Sequence, residues 1–115
     1  MEEAKEEGTE APRLGPIATR ILYEDDRVRI WDQVVEPGAS IGPHRHELPY
    51  ALVNVDGSTL EVVAVPGHPV IAGGEKLSVE IESETAGVLP GGGAEDARNT
   101  GDQTYRAILV EFKQG

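Results

Sequence analysis

From Thr19 onward the chain is cut into short runs by turn-forming clusters, and none of these runs carries the apolar spacing of an amphipathic helix. The runs are rich in β-branched and aromatic residues: TRILYE (19–24), RVRIWDQVV (27–35), PYALVNV (49–55), TLEVVAV (59–65), KLSVEIE (76–82) and TYRAILVEF (104–112), with a shorter AGVLP at 86–90. Between them stand DD, EPGAS, DGS and PGHP, built from residues that favour turn dihedrals. In EPGAS, Pro37 and Gly38 occupy the central positions of a type II turn. Leu77, Val79 and Ile81 share one parity and therefore one strand face, and Val28, Ile30 and Asp32 alternate with Arg29, Trp31 and Gln33. The glycine- and charge-rich stretch GGGAEDARNTGD (91–102) reads as a loop. Roughly eight short strands without a credible helix after residue 17 predict an all-β sandwich or barrel.

A chain of 115 residues supplies one domain with one core. Residues 1–16 are charged and interrupted by Gly8, Pro12, Gly15 and Pro16, so they are expected to form a loosely attached acidic tail ahead of a domain over 17–115. With 21 acidic against 10 basic side chains, the formal charge is −11, which repels phosphate backbones and anionic lipid. Nucleic-acid and membrane binding are therefore not expected. The absence of cysteine excludes disulfides, thiolate metal sites and a cysteine nucleophile. The N-terminus lacks the basic-then-apolar pattern of a secretion signal, and no apolar run reaches the roughly 20 residues of a spanning helix. The expected location is the cytoplasm.

Two of the three histidines, His44 and His46, lie one residue apart in PHRHELPY (43–50). If 40–46 is extended, both imidazoles point to one face, and two neutral histidines on one face suit a divalent metal. The same pair at a strand end can equally be hydrated. Arg45 has the opposite parity and should face solvent. Tyr50 shares the histidines' parity, although Pro49 interrupts the run.

The spacing around this pair carries a resemblance. Gly38, five residues, His44, one residue, His46, three residues, Tyr50, six residues and Gly57 resemble the first motif of the cupin superfamily, with Tyr50 where the motif has glutamate. ETAGVLPGGGAEDARN (84–99) is similar to the second cupin motif: Pro90, Gly92 and Asn99 match, Glu84 replaces a glycine and Glu95 replaces the histidine. The stretch from Arg20 to Tyr50 is similar to small cupins associated with β-alanine degradation, which also carry a tyrosine at the glutamate position.

The resemblance implies an all-β cupin jelly-roll barrel, a homodimer, and a divalent metal inside, iron, manganese, nickel or zinc. His44 and His46 are retained as ligands. Glu95, at the third-histidine position, supplies a carboxylate or else stays solvated, in which case Glu47 or His68 are the remaining donors. Tyr50 and Glu95 are the candidate catalytic groups, Tyr50 as a proton donor or as a barrel-filling aromatic. Two functions follow: a metal-dependent enzyme (oxygenase, lyase or isomerase type) on a small organic metabolite, or a non-catalytic barrel that binds, senses or stores a ligand.

Overall fold

The computed structural model describes residues 14–65 and 76–113. Most of the acidic tail, and His68, therefore lie outside the described residues. Nine strands form among the described ones: β1 (Arg20–Glu24), β2 (Val28–Val35), β3 (His44–Arg45), β4 (Tyr50–Asp56), β5 (Thr59–Ala64), β6 (Lys76–Glu80), β7 (Thr85–Leu89), β8 (Ala94–Asn99) and β9 (Tyr105–Phe112). No helix of the described residues is long and apolar enough to cross a membrane.

The strands make two antiparallel sheets, one of order β1-β2-β9-β4-β7 and one of order β3-β8-β5-β6. This is a two-sheet jelly-roll barrel, the architecture that the resemblance implies. Its longest ladder joins β2 to β9 in unbroken register from Val28↔Phe112 to Val35↔Tyr105. β9 alternates buried and less buried positions along its whole length, so Tyr105, Ala107 and Leu109 face inward. Register then sets the inward face of β2 as Trp31, Gln33 and Val35. The more apolar parity, Ile30 and Val34 with Ile108 and Val110 beside them, lies half-buried on the outer face. There Asp32 is covered by Arg20 and Arg106, whose nitrogens stand 3.4 and 3.2 Å from its carboxylate. Ile17, Val35, Tyr50, Leu60, Tyr105 and Leu109 form the centre of the core, with Trp31, Leu52 and Leu89 packed against them.

Two turns place the strands that matter for the site. Ala39 N donates to Glu36 O at 3.0 Å, and Gly38 takes a φ of 84°, the expected type II turn with Pro37 and Gly38 at its centre. It sends residues 40–46 alongside β8, where Ser40 bridges Arg98 and Ile41 N donates to Ala97 O at 2.8 Å. At the far end, Gly91 passes backbone against backbone over Leu48: a Cβ on Gly91 would sit 2.8 Å from the Leu48 carbonyl carbon.

One expectation is corrected. Residues 94–99, read as loop, form β8, a central strand paired with β3 on one side and β5 on the other. Glu, Asp, Arg and Asn have little intrinsic strand preference, but the ladder on both edges satisfies their backbone groups and outweighs it. Asn99 closes this strand. Its buried Nδ2 donates to Val35 O and Gln103 O, both at 2.8 Å, and its Oδ1 accepts from Gly101 N at 2.9 Å.

Candidate metal centre

His44 and Glu95 are directly opposed in the β3–β8 ladder, which puts both side chains on the same face of the sheet. His46 follows with the same parity and is held by the backbone: its N donates to Gly93 O at 2.9 Å, and Gly92 N donates to its O. The close approach at Gly91 makes this clamp possible, because any side chain there would push the 91–93 loop away from His46.

The result is a converging set. Nε2 of His44 and Nε2 of His46 each lie 3.7 Å from Oε2 of Glu95, and the donor atoms of the three residues all fall within 4.8 Å of one another. Both histidines are about 2% exposed or less. Glu95 keeps 18% exposure of its side chain, so it is a lumen group and not a solvated loop charge. Burial opposes ionisation of Glu95, yet the favourable contacts with His44 and His46, each 3.7 Å away, win and hold its carboxyl at about 2. It is therefore a carboxylate at any physiological pH.

The donor chemistry suits a divalent cation. His44 Nδ1 is 2.8 Å from Gly42 O, an acceptor only, so Nδ1 holds a proton and Nε2 is the ring atom left to meet a metal. Ligands around an ion at ~2.1 Å stand roughly 3.0–3.4 Å apart, so donors 3.7 Å from Glu95 and within 4.8 Å of one another must draw inward to close on one ion. His46 is less well supported. Its Nδ1 is buried without a hydrogen-bond partner, so only one histidine has the outer contact that raises ligand basicity.

Tyr50 does not join the donors. It comes from β4 in the opposite sheet and stacks on His46 with ring centroids 4.1 Å apart and planes 12° from parallel. His44 meets His46 edge-on at 4.9 Å. The stack fixes the plane of His46 where a hydrogen bond is missing. Burial, then the Glu95 charge, pushes the Tyr50 hydroxyl far above its ordinary value, so it stays protonated. Arg45 faces solvent as expected, and Glu47 is exposed and outside the cluster.

These residues open onto a cavity of about 280 Å³ between the two sheets, walled by aliphatic side chains such as Leu52, Leu60, Val62 and Leu109. No lysine or arginine lines it among the described residues. Tyr105 and Asn54 are tied to each other, Tyr105 donating to Asn54 Oδ1 at 3.0 Å, and burial with the Glu95 charge raises Tyr105 to about 12. Sequence reading missed Gln33, Asn54 and Tyr105 as lumen groups. Their signal was parity with buried partners across the β2–β9–β4 ladders, which needs the register to be known.

No protein-family model matches the chain, and no curated protein matches it. Solved structures do. A cupin domain from Bordetella pertussis Tohama I is similar with a TM-score of 0.71 and 21% identity, over 90% of this chain and 98% of that one. An RmlC-like cupin with a double-stranded β-helix fold from Methanocaldococcus jannaschii gives 0.62 and 12% identity, over 81% and 76%. The polyketide cyclase RemF from Streptomyces resistomycificus gives 0.56 and 22%, over 78% of this chain and 57% of that one. At such identities the likeness is one of fold. Fold and site together define a cupin-type barrel whose buried end carries a two-histidine, one-carboxylate cluster compatible with a divalent metal.

Proposed function

We propose that this protein is a metal-dependent enzyme acting on a small organic molecule held in the barrel lumen. The observation that carries the reading is the convergence of His44 Nε2, His46 Nε2 and the Glu95 carboxylate at the inner end of a cavity with apolar walls. Two imidazoles and one carboxylate leave coordination positions free, and a metal held there supplies Lewis-acid polarisation of a substrate oxygen or a site for dioxygen. Iron, manganese, nickel and zinc all accept this donor set. The chain's own residues hold the ion, keep Glu95 anionic, exclude water with aliphatic walls and present the protonated Tyr50 hydroxyl beside His46.

A ligand-binding barrel without turnover is the second reading, favoured by the unpartnered Nδ1 of His46, which weakens the metal site. Metal analysis of untagged protein purified without chelators, followed by titration with Fe²⁺, Mn²⁺, Ni²⁺ and Zn²⁺, separates the two. Stoichiometric metal with micromolar or tighter affinity supports the enzyme. Absence of binding for all four ions leaves the ligand-binding barrel. We extend the proposal to a substrate of β-alanine degradation, with which similar small cupins are associated. A carboxylate substrate there needs the metal as its counter-charge, because no lysine or arginine lines the lumen among the described residues.

The reading includes a homodimer. β1 is an edge strand whose consecutive Ile21, Leu22 and Tyr23 are 47%, 46% and 53% exposed, an apolar edge that a second copy of the barrel can cover. Sedimentation of wild type and Leu22→Glu tests it: a dimer that the charge dissociates supports the proposal, and a wild-type monomer at high concentration rejects it.

A further inference from the structure

Two buried side-chain atoms of the described residues lack a hydrogen-bond partner: Nδ1 of His46, beside the metal centre, and Oε1 of Gln33. Gln33 is 3% exposed and sits on the inward parity of β2 between Trp31 and Val35. Its ladder partner Ala107 offers only a methyl group, and the Trp31 indole N–H already donates to Glu111 Oε1 at 2.7 Å. Gln33 lines the lumen and, from behind, a smaller cleft with Thr19 and Ser40, and its buried Oε1 meets the lumen when the amide turns about its outer torsion. An amide oxygen buried without a partner is destabilising, and a leucine of similar volume would pack there without that cost. Groups of this kind persist where a ligand completes them.

We propose that Gln33 is the recognition group for the organic ligand of the lumen, accepting at Oε1 a hydrogen bond from a hydroxyl or N–H of an uncharged molecule. The inference rests on the reading that the lumen takes a small organic ligand. Charge argues for the uncharged class. The acidic side chains on the lining are Glu95 and Glu80, with no lysine or arginine among the described residues, so an anion would be repelled wherever the metal does not hold it. Walls of leucine and valine take the apolar body of the ligand, and Gln33 reads its donor. A site built to bond a donor rejects the analogue that lacks one, because the acceptor is then left buried and unpaired.

Three probes of similar size separate the possibilities: phenol, which donates; anisole, which only accepts; and toluene, which does neither. Binding to the full-length chain is followed by NMR, in chelator and again with Zn²⁺. Wild type should prefer phenol over anisole and toluene by about tenfold in chelator, with shifts at Leu52 and Leu109, and Gln33→Leu should abolish the preference. Gln33→Leu without probe should melt at the same temperature as wild type or higher. A markedly lower melting point overturns the proposal, since Gln33 then has a structural partner. So does a preference that survives in Gln33→Leu, that anisole shares, or that shifts Thr19 and Ser40 instead. A preference seen only with Zn²⁺ assigns recognition to the metal and overturns Gln33 while supporting the metal site. Failure of Zn²⁺, and of Fe²⁺, Mn²⁺ and Ni²⁺ in its place, to bind rejects the enzyme reading and leaves the chelator result for Gln33 standing.

Discussion

His44 and Glu95 face each other across a ladder of only two residue pairs, and that pairing brings an imidazole nitrogen and a carboxylate oxygen to 3.7 Å. The carboxylate belongs to a strand flanked by partners on both sides, so its backbone cannot swing away without breaking ladder bonds on two edges. The geometry makes Glu95 a fixed donor.

Glu95→Ala should lower divalent-metal affinity by well over tenfold, since losing a direct ligand should exceed the roughly 10–100-fold loss seen for outer contacts. Glu95→His should retain binding with altered preference among Zn²⁺, Ni²⁺, Fe²⁺ and Mn²⁺. Glu47→Ala, which removes an exposed charge nearby, should change little. Titration calorimetry on the four proteins decides, and equal affinity in Glu95→Ala removes Glu95 from the site.

Tyr50 is expected to act on the metal through His46, by stacking. Tyr50→Phe keeps the ring and should leave metal affinity within about threefold, whereas Tyr50→Leu frees the imidazole plane and should cost about tenfold. The hydroxyl is read separately by turnover: once a substrate is in hand, Tyr50→Phe should slow the reaction with metal affinity intact. Equal affinity in the Leu and Phe variants contradicts the positioning role.

Alkaline pH tests whether the lumen is dry. Burial first, and the Glu95 charge second, raise both lumen tyrosines, Tyr105 to about 12 and Tyr50 further. Between the ordinary tyrosine value of about 10 and these raised values, the folded state binds more protons than the unfolded state. Stability must then fall as pH rises through that window, and be level with respect to these groups below it. In a Tyr23→Phe background, tyrosinate absorbance should appear together with loss of β-sheet circular dichroism. Ionisation of both lumen tyrosines near pH 10 in a folded protein would mean a wet cavity.

Asn99→Ala should destabilise the barrel by about 2–4 kcal/mol, because it leaves the Val35 and Gln103 carbonyls and the Gly101 amide without their side-chain partner. Chemical denaturation measures it. Asn99→Asp should be nearly as damaging, since it keeps the acceptor and loses both donors. A loss below about 0.5 kcal/mol for Asn99→Ala would show that water replaces the side chain.

Much of the barrel was legible before any coordinates. KLSVEIE and TYRAILVEF announce strands because their apolar residues repeat with the pleat, and EPGAS announces its turn because glycine alone takes φ of 84° without strain. His44 and His46 share a face for the same local reason. β8 was illegible, because the strand character of AEDARN lies in the neighbours that pair with it and not in its own side chains.

Local pattern by itself determined the fold class, the strand period and the histidine pair, since these depend on dihedral preference and side-chain parity over a few residues. Tertiary structure alone decided that Glu95 stands opposite His44, that Tyr50 stacks on His46 from the other sheet, and that Gln33 turns inward while Ile30 turns out. Each of these is a matter of register between strands distant in sequence. Slipping a ladder by one residue reverses every face, and only the packed barrel selects which register is built.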